Sequence, residues 1–145
     1  MDYADTGFIC SLYAPDANTN QACKLMDVQL APIAFSWLNQ VEFRNALRLR
    51  VFRKEITTEQ RDRSLNALLV DLNEGIFENK ETVPSNVLIE TERLSARHSE
   101  KLGTRSLDIL HVAIALSLGC QRFLSFDTRQ LKLAKAAGLA GPGLR

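Results

Sequence analysis

Residues 107–118 contain Leu107, Ile109, Leu110, Val112, Ala113, Ile114, Leu116 and Leu118, so a helix built from them is apolar almost all round. Such a helix has no side to offer water and belongs in the middle of a fold, with other elements packed around it. Ser106 stands where it can cap the helix, and Gly119 where the helix ends. With 145 residues, 46% of them hydrophobic and 24% charged, the chain has the material for one real core and a wettable surface. Disorder, a disulfide scaffold and a collagen-like fibre are excluded.

The rest of the chain alternates short apolar runs with helical patterns. Residues 1–5 read as a strand ended by Thr6-Gly7, and 8–13 as a short helix broken by Pro15. Asp16 is expected to cap a second helix running to about Leu30. A second strand falls at residues 33–35, after which Ser36 caps a long helix to about Lys54. Thr57 to Gln60 carry another start signal, with Leu65, Leu68, Leu69 and Leu72 on one helical face and Gly75 at its close. Residues 81–84 suggest a brief third strand, and Ser85 opens a helix that lasts until Gly103. A strand over 122–126 and a last helix, capped by Asp127 or Thr128 and ended by Gly138, complete the pattern. Strands alternating with helices predict a parallel α/β sheet covered on both faces, in one domain over residues 1–140 with a loose tail at 141–145.

Cys10, Cys23 and Cys120 are odd in number and lack C-x-x-C spacing, which suits buried thiols in a reducing compartment. No apolar run approaches the ~18 residues of a membrane span, and no basic-then-apolar leader opens the chain. A cytoplasmic protein without membrane contact is expected. The formal charge of +1 neither demands nor excludes a nucleic-acid partner.

Acidic residues stand at the junctions where an open α/β sheet builds its site. Asp5 and Asp127 each follow a predicted strand, and ligands of such sheets bind outside the carboxyl ends of the strands. Asp108 lies in the first turn of the apolar helix, and Glu42 in the second turn of the helix leaving the second strand. Singly, each has an ordinary explanation. Asp127 can be a helix cap with Gln130 completing a capping box, Asp108 a first-turn acid favoured by the helix dipole, and Glu42 an exposed helical residue. Together they predict a carboxylate cluster. Two unit charges ~4 Å apart repel by ~4 kcal/mol at an effective dielectric near 20, so a cluster raises pKa values or takes a divalent cation. Oxygen-only ligands favour Mg²⁺ or Mn²⁺ over zinc.

The ordered set Tyr3-Ala4-Asp5-Thr6, Ser36 through Glu42 to Asn45-Ala46, Arg105-Ser106-Leu107-Asp108 with Ala113, and Leu124-Ser125-Phe126-Asp127 resembles the PIN-domain ribonucleases. In size and layout it is most similar to the VapC-type toxins of toxin–antitoxin modules. The resemblance implies a three-layer α/β/α sandwich around a central parallel sheet of four to five strands. Residues 138–143 are poor material for the fifth. It implies further that Asp5, Glu42, Asp108 and Asp127 are catalytic and metal-binding. Thr6, Asn45 and Ser125 match the family's supporting polar positions, and Arg105 is placed to hold Asp108 or a phosphate. A cognate antitoxin and a homodimer are implied in the same way, the helix over 57–74 offering an apolar face for the dimer.

The chemistry this allows is metal-assisted hydrolysis of an RNA phosphodiester bond by water. With only His98 and His111 in the chain, no Ser-His-Asp or Cys-His arrangement is available, and no P-loop glycine pattern occurs. His111 reads first as a buried structural histidine, and alternatively as an outer partner of the site; His98 reads as a polar residue of an amphipathic helix. Seven of the 18 Lys and Arg lie between residues 44 and 63. Among them Arg44, Arg48 and Arg53 are candidates for gripping RNA phosphates, the alternative being a solvated face with pairs such as Arg50 with Glu55. A non-catalytic RNA- or protein-binding module and a housekeeping RNA-processing nuclease remain as other readings. A phosphotransferase with Asp5 as nucleophile is disfavoured, because Gly7 stands where its second acid belongs.

Overall fold

The computed structural model describes residues 1–143. Its elements run β1 (Asp2–Ala4), α1 (Thr6–Tyr13), α2 (Thr19–Asp27), β2 (Ile33–Phe35), α3 (Trp37–Phe52), α4 (Thr58–Asn73) and β3 (Phe77–Asn79). There follow α5 (Pro84–Leu94), a π-helical stretch (Ser95–Ser99), α6 (Glu100–Leu102), α7 (Ser106–Ser117), β4 (Arg122–Leu124) and α8 (Thr128–Ala136). The four strands form one parallel sheet in the order β3-β2-β1-β4. Tyr3 pairs with Ala34 on one side and Phe123 on the other. The chain therefore builds outward from β1 to β3 and then crosses back to β4, so strand order reverses between β1 and β4.

Side-chain alternation along three-residue strands feeds two cores. Tyr3, Ala34 and Phe123 face one side, packed with Val87, Leu94, Val112, Ile114 and Leu133 of α5, α7 and α8. Ala4, Ile33, Phe35, Phe77 and Leu124 face the other, under Phe8, Ile9, Phe43, Leu47 and Leu68 of α1, α3 and α4. Fully burying each aromatic or aliphatic side chain of this kind contributes roughly 1.5–3 kcal/mol. The apolar helix is α7. Ile109 and every residue from His111 through Ala115 are buried, enclosed by the sheet, α5 and α8, while Leu107 at its start is half-exposed. The three-layer parallel fold expected from the sequence is the one observed.

Several boundaries differ from expectation. The third strand is Phe77–Asn79, because Phe77 is the residue that pairs with Ile33 and enters the core, whereas Glu81 and Val83 are exposed and Pro84 begins α5. The second helix starts only at Thr19: Asp16 accepts from Asn18 N–H at 2.8 Å and so shapes the preceding turn. Arg105, not Ser106, is the cap residue of α7, and Ser106 is already helical. The helix expected to run unbroken to Gly103 widens into the π-helical stretch after Leu94, and Gly103 ends it with φ of 64°, where a glycine meets no steric penalty. Cys23 is exposed, although Cys10 and Cys120 are buried, with burial pushing their thiols up to about 12 and about 11.

No fifth strand forms among the described residues. Ala140 makes one parallel bridge to Arg122, with Phe123 N–H donating to Ala140 O at 2.8 Å. Of the expected tail, residues 144 and 145 lie outside the described ones. Arg122 Nη2 donates to Gly143 O at 2.9 Å, and Nη1 reaches the fully buried Asp2 carboxylate at 3.5 Å. Gln29 Nε2 also donates to Asp2, at 2.7 Å. Removing one member of a buried ion pair costs about 3–5 kcal/mol, since the other charge stays desolvated. Arg122→Leu is therefore expected to lower the unfolding free energy by about 3 kcal/mol, measured by urea denaturation; a loss within experimental error of zero would contradict it.

Candidate functional site

The reversal of strand order between β1 and β4 is the place where an open α/β sheet leaves a crevice at its carboxyl edge. Asp5 N–H donates to Leu124 O at 3.0 Å and ties the two strand ends together. Asp5 then caps α1, its Oδ1 accepting from Phe8 N–H at 2.7 Å, while Oδ2 accepts from the Ser125 hydroxyl. Ser125 Oγ in turn accepts from Asp127 N–H at 2.9 Å. Asp127 caps α8, with Oδ1 accepting from Arg129 N–H at 2.9 Å and Gln130 N–H at 3.1 Å. Asp127 is the helix cap foreseen, which holds its carboxylate at the crevice; the capping box with Gln130 does not form, because Asp127 N–H donates to Ser125 Oγ instead.

Asp108 enters from the first turn of α7 and Glu42 from α3. Arg105 Nε donates to Asp108 Oδ2 at 3.0 Å and its Nη2 to Asp127 Oδ2 at 3.3 Å, so one guanidinium bridges two acids. That side chain is 68% exposed. Glu42 Oε1 accepts from Thr6 Oγ1 at 2.9 Å and lies 2.5 Å from His111 Nε2. All four carboxylates line one cleft of about 740 Å³, together with Thr6, Asn45, Arg50, Arg53, Arg105 and His111. Residues separated by more than 100 positions in sequence meet there.

Of the basic candidates, Arg53 lines the cleft; Arg44 faces a separate depression with Phe43, Leu65 and Leu68, and Arg48 lines neither. Arg50 lies 3.6 Å from Asp16 and donates to Ala14 O at 3.4 Å, so its ion-pair partner is not Glu55. The helix carries Arg50 across to the loop after α1, whereas Glu55 lies past the end of α3, its N–H donating to Arg50 O at 2.9 Å. His111 is buried as expected and also touches the site. Sequence reading missed Tyr3, Ser36 and Asn39, which are buried and hydrogen-bonded behind Glu42. A usable signal existed: a Tyr in a wholly buried strand needs a partner for its hydroxyl, and Ser36-x-x-Asn39 is a capping pair.

The acids differ in how their charge is met. Burial holds the Asp5 carboxyl above the ordinary carboxylate range, against the pull of the Ser125 and Phe8 hydrogen bonds and of His111; Asp127 adds to the rise. Burial also pushes Glu42 up, but the His111 hydrogen bond and charge and the Thr6 hydroxyl outweigh it and leave Glu42 below its usual value. Among the described residues, no group of three or more His, Cys, Asp or Glu is already gathered to hold a metal ion. The donor chemistry nonetheless fits a hard divalent cation: four carboxylates face one cleft, and the position between Asp108 and Asp127 is already taken by positive charge.

A family model, the PIN domain, matches residues 3–136. The fold is similar to VapC20 of Mycobacterium tuberculosis, a sarcin-ricin loop cleaving toxin, at 20% identity over 97% of each chain with a TM-score of 0.70. It is also similar to FitAcB of Neisseria gonorrhoeae (16% identity, 97% and 96% covered, TM-score 0.65). VapBC2 of Rickettsia felis, solved bound to a DNA fragment from its promoter, is 17% identical over 97% of each chain, with a TM-score of 0.65. No curated protein matches in sequence.

The raised Asp5 carboxyl has a thermodynamic sign. A carboxyl whose folded-state pKa is raised favours folding while protonated, and that contribution is lost as pH rises through the folded value. Asp5→Asn removes the charge yet keeps an acceptor for Phe8 N–H, and Ser125 can turn its hydrogen to Gln130 Oε1, 3.4 Å away. The metal-free variant is expected to melt above the parent at neutral pH, with the difference closing in acid. Thermal melts across that range test this; identical curves at neutral pH would refute it.

Proposed function

The chain belongs to the PIN domain family, and from that footing we propose that it is a Mg²⁺- or Mn²⁺-dependent endoribonuclease, the toxin of a toxin–antitoxin module. The observation that carries the reading is the convergence of Asp5, Glu42, Asp108 and Asp127 on one cleft at the strand-order reversal. A non-catalytic module has no use for four carboxylates turned toward one space. The likeness in fold to VapC20, a sarcin-ricin loop cleaving toxin, supports RNA as the substrate class.

Asp5 and Asp108 are the proposed principal metal ligands, with Glu42 and Asp127 completing the sphere directly or through water. A bound divalent ion supplies a more acidic water for in-line attack and neutralises charge on the phosphate oxygens. The residues themselves do the rest. Ser125 and Phe8 N–H hold both Asp5 oxygens in place, and Thr6 holds Glu42. Asn45, lining the cleft one helical turn after Glu42, can meet substrate or a bound water. The exposed guanidinium of Arg105 can leave Asp108 and Asp127 for a phosphate, and Arg53 and Arg50 line the path along which the RNA backbone would lie. Arg44 and Arg48 would have to meet RNA outside the cleft.

The partners of this reading are a cognate antitoxin and a second copy of the chain. For the dimer, α4 is a weaker candidate than expected: Leu68 is buried and Leu65 and Leu72 pack on the core, leaving Leu69 and Val70 outward. Leu88 and Ile89 of α5 are more exposed, at 69% and 63%, than Leu69 at 44%. The reading carries a cytoplasmic setting; no helix among the described residues is long and apolar enough to cross a membrane.

The direct test is RNA cleavage with Mn²⁺ by the parent, Asp5→Asn and Asp108→Asn. Each variant is expected to lose more than the roughly 10–100-fold typical of changing an outer partner of a metal ligand. Equal cleavage by all three would refute the proposal. Arg105→Ala has a separate signature. By removing the cation that competes for Asp108 and Asp127, it is expected to tighten Mn²⁺ binding several-fold in calorimetric titration, and weaker binding would contradict Arg105 as a competitor.

A further inference from the structure

Behind Glu42 lies a closed hydrogen-bonded ring of six side chains. Tyr3 Oη is 2.7 Å from His111 Nδ1 and 3.0 Å from Ser36 Oγ. Ser36 Oγ is 2.9 Å from Asn39 Oδ1, Asn39 Nδ2 is 3.3 Å from Thr6 Oγ1, and Thr6 Oγ1 is 2.9 Å from Glu42 Oε1. His111 Nε2, at 2.5 Å from Glu42 Oε1, closes it. Tyr3, Ser36, Asn39 and His111 are all buried, so each bond has to be made in a setting where a missing partner is costly.

Five of the six directions follow from what each atom can do, and the sixth, between His111 Nε2 and Glu42 Oε1, needs a hydrogen on one of those two atoms. Asn39 Oδ1 only accepts, so Ser36 donates to it. Ser36 has then spent its one hydrogen, and its oxygen accepts from the Tyr3 hydroxyl. Tyr3 oxygen accordingly accepts from His111 Nδ1–H, which fixes which ring nitrogen carries hydrogen at that end. On the other arm Asn39 Nδ2–H donates to Thr6, and Thr6 donates to Glu42 Oε1. Donation thus passes in one direction, from His111 through Tyr3, Ser36, Asn39 and Thr6 to Glu42 Oε1. Oε1 takes the Thr6 hydrogen bond and the His111 contact, so Oε2 is the atom Glu42 can offer to the cleft.

We propose that Tyr3 and His111 are positioning residues for Glu42: the Tyr3 hydroxyl sets the plane of the His111 ring, and the ring clamps Oε1 so that Oε2 presents to the cleft. The role rests on the nuclease reading of that cleft. β1, α1, α3 and α7 contribute one residue or more each, so the carboxylate is held by four elements rather than by its own flexible helix position. Outer partners that orient a ligand group in this way are commonly worth 10–100-fold in metal affinity.

Tyr3→Phe is the discriminating variant, since it deletes only the hydroxyl and keeps the ring stacked at 5.7 Å on Phe123. Expected are a roughly 10-fold weaker Mn²⁺ affinity by titration, a comparable fall in kcat with KM for RNA nearly unchanged, and displaced side-chain ¹⁵N resonances of His111 in the metal-free protein. His111→Leu should reproduce the loss, and His111→Gln, which can place an amide near the Nε2 position, should recover part of it; this pair decides the matter if Tyr3→Phe does not fold. Parental Mn²⁺ affinity in Tyr3→Phe and His111→Leu, where Asp5→Asn abolishes it, would overturn the positioning role and leave the nuclease reading standing. Unmoved His111 resonances in Tyr3→Phe would overturn the ring itself. A parent protein that neither takes up Mn²⁺ nor cuts RNA would remove the nuclease reading and this inference with it, a failure seen in the parent rather than in the variants.

Discussion

The burial of α7 between the sheet, α5 and α8 is the constraint on which the rest of the structure depends. A helix apolar on nearly every side has one stable place, and once seated there its height and rotation over the strands are set by packing against Tyr3, Phe123 and Leu133. Asp108 and His111 are three positions apart and so share a face. The same packing that excludes water from Val112 and Ile114 therefore delivers Asp108 to the crevice and His111 to the back of Glu42. Core and site are one construction, and a cavity opened under α7 would be felt at both.

The site also shows local folding devices serving chemistry. Asp5 and Asp127 are helix caps first: each satisfies backbone N–H groups that α1 and α8 would otherwise leave open. Capping places the two carboxylates at adjacent strand ends, and Ser125 links them by donating to one and accepting from the backbone of the other. The cap is satisfied by a neutral side chain as well as by a charged one. The choice of acid at position 5, in a buried setting that opposes ionisation, is what folding alone does not explain.

How much of this was legible in sequence depends on how local its cause is. The Ser36 and Thr57 capping boxes, the glycine stops and the apolar run of α7 are written within a few residues, and those elements lie close to where they were expected. β3 was placed several residues late because Glu81 to Pro84 look extended by propensity. The true strand is chosen by a tertiary event, the pairing of Phe77 with Ile33 and its entry into the core. The acids were legible as a set because each stands at a strand end or in the first two turns of a helix; that they line one cleft is a property of strand order. The Tyr3–His111 ring was legible only in fragments, the buried Tyr3 hydroxyl and the Ser36-x-x-Asn39 capping pair, because its closure joins residues 3–6, 36–42 and 111 through the fold.

Charge in the cleft is answered unevenly, and the unevenness ranks the acids. Asp108 and Asp127 share the Arg105 guanidinium, and Glu42 has His111 and Thr6. Asp5 is met mainly by two hydrogen-bond donors, one of them a neutral hydroxyl, and burial holds its carboxyl above the ordinary range. A cation shared by Asp5 and Asp108 would therefore relieve the cost of burial at Asp5 and would have to displace the Arg105 guanidinium from Asp108. Any ligand that binds the folded chain but not the unfolded one stabilises it by mass action. A cation bound through Asp5 would thus act where that residue caps α1 and joins β1 to β4, so its stabilisation would be felt first at the start of α1 and at the β1–β4 junction.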